Sequence, residues 1–527
     1  MRATWPVGLA AGWARVVGVF VAVVTLLWVG TLVPGGSGRW IALALSGLAV
    51  VLVLARWRGA PLGELALRAV RRRRPPGTAD AGDAVEHRLR DTDTAVGVRA
   101  AGDELIAVVA VDGPAHVPSV FDQHRVQSAA SLPVAVIAEA VRQFDVTLAG
   151  VDVVSVGRRR AGRAHHPYAA TYSKMVGDHP AVGQRRTWCV LRLNRFDSVA
   201  AVAGRESVAA TVAACAVRLA AELTARGLPA RVVDADGLAA VDAALDAGLG
   251  GQARARWSAV RHDGGAVATY WVSPRDLTSD TLDRVWVPDT DATATALQLR
   301  PVPDGAVSVG LLVRYAAGTA FGEPPLTGLN PLSGRQDLGL AAISAGAGAP
   351  WEAPRRVLAV GEELRAPLGA TGILLGALPS GHPLLLNLAA PAPGAAAVVT
   401  VAGELALLMQ VALRTAAIGY QVLVISRRPA RWREASAAGL RLLDALPGEL
   451  PDDGRAVAVV YDVLDAPAGP AAAITVRLVA AGSASVADVH LEQDSARSAV
   501  IRTAEFTHRV LIDVEPERAM SAPRRAA

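Results

Sequence analysis

Acidic side chains at the ends of apolar, strand-like runs are the first places to look for chemistry in this chain. Asp462 closes the run 456–462, Asp465 follows it, and the pair Asp452-Asp453 precedes it. Carboxylates that converge at a strand end can hold a metal ion or act as general acid and base. A membrane-tethered transferase would use such an acidic end, with Asp462 as the candidate. The same residues are also ordinary turn and cap formers, and that is the reading adopted. Glu404 begins the helical run 404–417, between the strand-like runs 396–401 and 421–426. Strand, turn, helix, strand carries nucleotide sites in many folds. A phosphate loop, however, needs a glycine-rich backbone ending in Gly-Lys-Ser/Thr. Here the turn is Ala402-Gly403-Glu404, without lysine. A carboxylate there favours the helix N-terminus and repels phosphate, so the unit is read as packing scaffold.

The remaining candidates are weaker. His165 and His166 are adjacent, so their side chains diverge, and no Cys or His cluster accompanies them. Ser380, Ser426 and Ser436 lack the strand-to-helix elbow of a serine nucleophile. No G-x-G-x-x-G opens a βαβ unit; Gly346 and Gly348 stand in a loop-like stretch. No catalytic residue, metal or cofactor is therefore expected. Gln184-Arg185-Arg186 and Trp188 lead into the strand-like run 189–193. An arginine fork binds carboxylate or phosphate groups. Gln184, Arg185, Arg186 and Trp188 are therefore candidates for partner binding, and a solvated loop is the other reading.

The elements that would position these groups start from the N-terminus. Residues 16–32 and 40–55 are two apolar runs with a single charge, Arg39, between position 16 and position 55, separated by Pro34, Gly35, Gly36 and Gly38. A bilayer core about 30 Å thick needs about 20 apolar residues in a helix. The pattern predicts a two-helix transmembrane hairpin, its second span slightly short. Trp28 and Trp40 stand near the turn, where indoles favour the membrane interface. Arg56, Arg58, Arg68 and the run Arg71, Arg72, Arg73, Arg74 follow the second span. Basic residues after the spans put both termini in the cytosol. A cleaved signal peptide is the competing reading of the first run, but a second apolar run follows at once without an A-x-A site. Buried core helices are another, but they normally keep a polar face.

The 527 residues carry a formal net charge of +5 and two cysteines. Lysine is nearly absent, so part of the arginine excess reads as the codon bias of a GC-rich genome. Cys189 and Cys215 lie in apolar runs and suit buried packing in a reducing compartment. No interleaving of aromatic and basic residues suggests nucleic acid. The expected organisation is a short cytosolic N-terminus (1–15), the hairpin (16–55), a basic linker (56–93) and an α/β domain (94–315). A Gly/Pro/Ala-rich linker (316–354), a second α/β region (355–516) and a flexible tail (517–527) complete it. Within the first domain a hairpin is expected around Gly102-Asp103, helices over 133–144, 205–226 and 237–247, and strands over 147–156, 189–193 and 230–233. In the second, 372–378 and 383–388 should form a hairpin, with further strands at 456–462, 475–479, 486–491 and 510–514. The fold class is α/β: an N-terminal transmembrane hairpin followed by cytosolic mixed α/β domains.

Several of these stretches resemble one family. The two-helix start, the loop 172–180, Val182-Gly183-Gln184-Arg185-Arg186-Thr187-Trp188 and Gly204-Arg205 entering an Ala-rich helix are similar to the EccE proteins. So are Leu329-Asn330-Pro331-Leu332-Ser333-Gly334-Arg335-Gln336 and the late block from Leu374 through His382-Pro383 to Arg428-Pro429 and Trp432. EccE proteins are membrane components of the type VII (ESX) secretion apparatus of actinobacteria. The resemblance implies a structural, non-enzymatic subunit of a large inner-membrane complex that supports protein export. It implies the partners EccB, EccC and EccD, with membrane lipid beside the spans. Residues 257–315 match the family least.

Overall fold

The structure is a computed structural model that describes residues 7–9, 13–32, 37–57, 60–63, 82–89, 94–122, 125–162, 168–246, 253–346, 351–392, 394–445, 448–451, 454–464, 470–483 and 486–521. His165, His166, Arg58, Arg68, Arg71 to Arg74, Asp452, Asp453 and Asp465 lie outside the described residues, as do Pro34, Gly35 and Gly36.

The two apolar runs form helices Trp13–Leu32 and Ser37–Leu54. They lie against each other along a seam of small residues: Gly30, Gly38, Ala42 and Ser46 are buried there, with Val19. The approach is close enough that a Cβ at Gly30 would meet Ala42 Cβ at 2.4 Å. Strand Val7–Leu9 pairs antiparallel with Ala55–Trp57. Both ends of the hairpin are thereby tied together on one side.

The first large sheet is antiparallel at every pairing. Its main path runs from Arg254–Ala255 and Val260–His262 through Gly265–Val272, Val307–Ala317, Ala292–Pro301, Gly150–Arg158, Gln184–Asn194, Glu104–Val111 and Ala95–Ala101 to Ala84–Arg88. The hairpin expected at Gly102-Asp103 is present, with Gly102 at φ +61 in the left-handed region that a tight turn needs. Helices Val134–Ala140 and Val208–Ala225 cover one face, and Ala235–Leu245 covers part of the other. Helix Val208–Ala225 starts where Ser207 Oγ accepts from the Ala210 N–H at 3.0 Å. It ends at Gly227, φ +78.

The second sheet is mixed. Arg441–Leu443, Gln421–Ser426, Val457–Asp462, Ile474–Leu478, Ala397–Ala402 and Val489–Ser495 are parallel neighbours in that order. Antiparallel strands Ser498–Thr503, Thr507–Leu511, Ile373–Ala377, Pro383–Leu386, Pro118–Asp122 and Arg125–Ser128 extend it. Helix Leu405–Ala417 is buried along almost its whole length. Wholly antiparallel pairing in the first sheet and a parallel core in the second make the fold mixed α and β, with parallel strands confined to the second sheet.

The structure departs from the expected boundaries in three places. Strands Pro118–Asp122 and Arg125–Ser128 precede most of the first sheet in sequence yet form the edge of the second, where Val120 pairs with Leu384. Within 316–354, read as a linker, Leu329–Pro331 pairs with Gly265–Val272, and Gln336–Ala342 is a helix packed on that strand. Gln336 is buried and bonds the Thr269 N–H at 2.7 Å and the Thr269 carbonyl at 3.2 Å, which ties the segment to the sheet. Near the C-terminus, Glu515–Ser521 is a helix packed on Leu405–Ala417 instead of frayed tail, with Glu517 and Ser521 buried.

Candidate functional site

The hairpin turns its apolar side chains outward. Trp28 is 64% exposed, Trp40 75% and Phe20 66%, while Val21, Leu27, Leu43, Leu45 and Leu48 are also exposed. Helices of 20 and 18 residues rise about 30 and 27 Å, the thickness of a bilayer core. The two threonine hydroxyls of the first helix satisfy themselves within it: Thr25 Oγ1 donates to the Val21 carbonyl at 2.8 Å and Thr31 Oγ1 to that of Trp28 at 2.6 Å. Internal satisfaction is what a lipid surround demands. Arg39 and Arg56 are exposed at opposite ends of the second helix.

A third helix, Val208–Ala225, is equally long and apolar enough to span a membrane by composition alone. Its surroundings differ. Thr211, Val212, Ala216, Leu219 and Leu223 are buried, and Arg226 just past its end pairs with Glu222 at 2.7 Å on its wet side. It is a core helix of the first sheet.

The first sheet buries an ionic layer that composition hid. Asp152, on Gly150–Arg158, accepts from Arg192 Nε at 2.8 Å and from Arg300 Nη1 at 2.5 Å. Burial alone would push this carboxyl up, but Arg300 and Arg192 outweigh it and hold the pKa below the usual range. Arg99 takes Asp242 in a two-pronged bond, at 2.6 and 3.1 Å. These arginines also donate to consecutive carbonyls after helix Gln336–Ala342. Arg314 reaches Ile343 at 3.5 Å, Arg192 reaches Ser344 at 3.4 Å and Gly346 at 2.9 Å, and Arg99 reaches Ala345 at 3.4 Å. Cations suit the negative end of a helix. The layer therefore clamps segment 343–346 onto the sheet. Burial brings Arg314 down to about 10.

The two acidic candidates among the described residues, Asp462 and Glu404, are saturated. Asp462 Oδ2 accepts from Ser426 Oγ and Trp432 Nε1, both at 2.7 Å, and from Arg428 Nε at 2.9 Å; Oδ1 accepts from Arg428 Nη2 at 2.5 Å. Ser426 and Asp462 end adjacent parallel strands in register. The turn Pro429–Trp432 folds back so that Trp432, fully buried, reaches the carboxylate. A carboxylate bonded this way is a structural knot with its oxygens occupied. Glu404 bonds Arg518 at 2.6 and 3.1 Å and Gln493 at 2.8 Å. The Arg518 hydrogen bonds hold its carboxyl below the usual range. Glu404 thus joins the C-terminal helix to the second sheet. Among the described residues no group of three or more His, Cys, Asp and Glu could hold a metal.

Strand alternation divides the segment Gln184 to Trp188. Trp188 is 5% exposed and packs with Val154, Val190 and Leu238. Its indole is a core side chain, out of reach of a partner. Arg186 is exposed, and Gln184 lies against Gly419 with its Nε2 buried and unbonded. Arg185 points to the other face and lies 4.3 Å over the Trp286 ring. The periodicity of two that marks a strand already separates Arg185 from Trp188. The partners of the buried arginines, by contrast, lie up to 246 residues away in the chain and carry no local signal.

Comparison with known proteins gives a consistent picture. Residues 181–272 match a family model described as "Putative type VII ESX secretion system translocon, EccE". The chain is 35% identical over 395 residues to the ESX-5 secretion system protein EccE5 of Mycobacterium marinum, covering 70% of this chain and 97% of that protein. It is 33% identical over 380 residues to EccE5 of Mycobacterium tuberculosis, covering 68% and 93%. The ESX-2 secretion system protein EccE2 of Mycobacterium tuberculosis is 26% identical over 420 residues, covering 79% and 75%.

Proposed function

The chain belongs to the EccE family and is a type VII secretion subunit, and from that premise we propose that it is a non-catalytic assembly subunit of the inner-membrane complex. The hairpin crosses the membrane twice, and both α/β units stand in the cytosol. The observation that carries this reading is the hairpin itself: two bilayer-length helices, apolar side chains outward, small residues in the seam. Pairing of Val7–Leu9 with Ala55–Trp57 supports both ends lying on one side. Trp28, Trp40 and Arg56, with Arg71, Arg72, Arg73 and Arg74 beyond them, anchor it to lipid. The saturated oxygens of Asp462 support a scaffold role over the transferase alternative, which needs a free carboxylate there.

The partners we propose are EccB, EccC and EccD, contacted through the hairpin and through exposed residues such as Arg186. Tagged protein purified in mild detergent should carry these chains with it. Replacing residues 16–55 with an unrelated two-helix hairpin should keep the protein in the membrane but deplete it from the high-mass species on a native gel. Purification of the tagged protein alone, or a reporter signal from outside the membrane after Arg74, would overturn the proposal.

A further inference from the structure

Arg185 is a half-buried cation in want of an anion. Its Nε is buried without a hydrogen-bond partner, and it forms no ion pair among the described residues. Its guanidinium lies over the face of Trp286 at 4.3 Å. A guanidinium drawn even partly out of water is normally compensated, because withdrawing an ion from water is costly. Burial brings Arg185 down to about 10, with Asp283 opposing the shift from outside ion-pair distance.

The guanidinium lines a cleft of about 190 Å³ at the junction of the two sheets. Arg365 lines the same cleft from strand Arg365–Pro367, exposed, its Nη1 3.5 Å from Ser131 Oγ. Ser119 comes from the strand at the edge of the second sheet, and Asp283 from helix Ser279–Arg284. The charges that face the space are thus two guanidiniums and one carboxylate. That carboxylate is raised to about 6 by burial; at neutral pH it stays mostly ionised and opposes an incoming anion. Thr371, also on the wall, is already committed to the Val182 N–H at 2.8 Å and the Val182 carbonyl at 3.0 Å. The size fits one compact group: nucleotide and drug-sized pockets run about 300–1,000 Å³.

We propose that this cleft is an oxyanion site in which Arg185 and Arg365 grip a single carboxylate or phosphate group. The source is either an acidic side chain of a neighbouring subunit or a free small anion. The first of these rests on the assembly reading above, and the second is independent of it. Arg185 supplies a rigid fork stacked on Trp286, and Arg365 supplies a mobile second prong from the rim.

The test uses the full-length protein in detergent, with inorganic phosphate as the probe against sodium chloride of matched ionic strength. Calorimetry and thermal midpoint should report saturable phosphate binding. Arg185→Gln should weaken it tenfold or more, roughly what the loss of a charged hydrogen bond implies, and Arg365→Gln should weaken it by a smaller factor. Asp283→Asn should tighten binding about threefold, by removing a like charge; a merely structural role for these residues does not predict that gain. Native gels give the second arm. Complex lost in Arg185→Gln and released from wild type by phosphate identifies a subunit carboxylate; complex retained while phosphate binding is lost identifies a free anion. If Arg185→Gln fails to fold, the exposed Arg365→Gln carries both arms. No saturable phosphate effect beyond that of chloride, together with intact complex in both variants, overturns the proposal. Absence of any complex in wild type would count against the assembly reading alone, since the phosphate arm needs only this chain.

Discussion

Helix Ser37–Leu54 and helix Val208–Ala225 have the same length, 18 residues, and similar apolar character. In the first, the buried residues are Gly38, Ala42 and Ser46, and the large side chains face out. In the second, Leu219 and Leu223 face in, and Arg218 and Glu222 stand on the other side. Bulk hydrophobicity is alike; the direction in which volume is placed is opposite. Small residues inward and large ones outward suit a solvent of acyl chains, since packing is then the contact that helices gain from each other. Large residues inward suit water, where burying a leucine contributes about 2 kcal/mol.

The contrast breaks hardest at Leu219, 1% exposed. Leu219→Asp puts an unpaired carboxylate under the first sheet, and we expect a loss of more than about 4 kcal/mol, enough to unfold the α/β part. Limited proteolysis of membrane-bound protein would show fragments from the α/β region while the hairpin remains inserted. The mirror change is Leu45→Asp, at a position 46% exposed. It should cost roughly 3 kcal/mol of membrane insertion and leave urea unfolding of the α/β part unaltered. Insertion assays in microsomes would measure it; an equal effect of both variants on both readouts would end the comparison.

Gly30→Leu sharpens it at the seam. A Cβ there would meet Ala42 Cβ at 2.4 Å, so the two helices must separate, at about 1–3 kcal/mol. Disulfide crosslinking between cysteines scanned along the two facing helices should fall. The two regions should differ in pH response as well. Neither hairpin helix contains an acid, whereas burial raises Asp283 in the α/β part to about 6. A raised carboxyl favours folding only while protonated. Its contribution is complete below the unfolded value near 3.8 and is lost as pH rises through about 6. Asp283→Asn should therefore flatten the fall in stability over that window. At pH 7.5 it should gain on the order of 1–2 kcal/mol, discounted for partial exposure. Denaturation at pH 4.5 and 7.5 measures it; a steeper fall in the variant would reverse the sign.

Local pattern was enough to find most elements. Alternation over 147–156 marks what forms as Gly150–Arg158, the apolar run 189–193 lies within Gln184–Asn194, and the helical run 205–226, ended by Gly227, contains Val208–Ala225. Ser498–Thr503 gives little strand signal: Ser498, Arg502 and Thr503 dilute a short apolar centre. What the chain did not announce was long-range chemistry. Arg192 and Arg300 read as products of codon usage, yet both meet Asp152 across neighbouring strands. A buried ion pair leaves no trace in local periodicity, because its partner is set by register. Asp462 reads from the sequence as the end of a strand, but its partners Ser426 and Trp432 arrive only when two parallel strands align. The cleft around Arg185 collects residues between positions 119 and 371, and only the folded chain assembles it.

Phe121 and His382 are joined by a hydrogen bond of 3.0 Å although 261 residues separate them. During synthesis the ribosome adds about 5–20 residues each second, so the strands at 118–128 emerge roughly a quarter to most of a minute before their partner exists. Throughout that interval the nascent chain carries a two-stranded ribbon with a bare edge, while the hairpin ahead of it has already left the ribosome. A truncated gene that stops short of Pro383 would make that exposure permanent. Its product should collect as edge-paired aggregates at the membrane surface, even though every strand of the first sheet's main path is present in it.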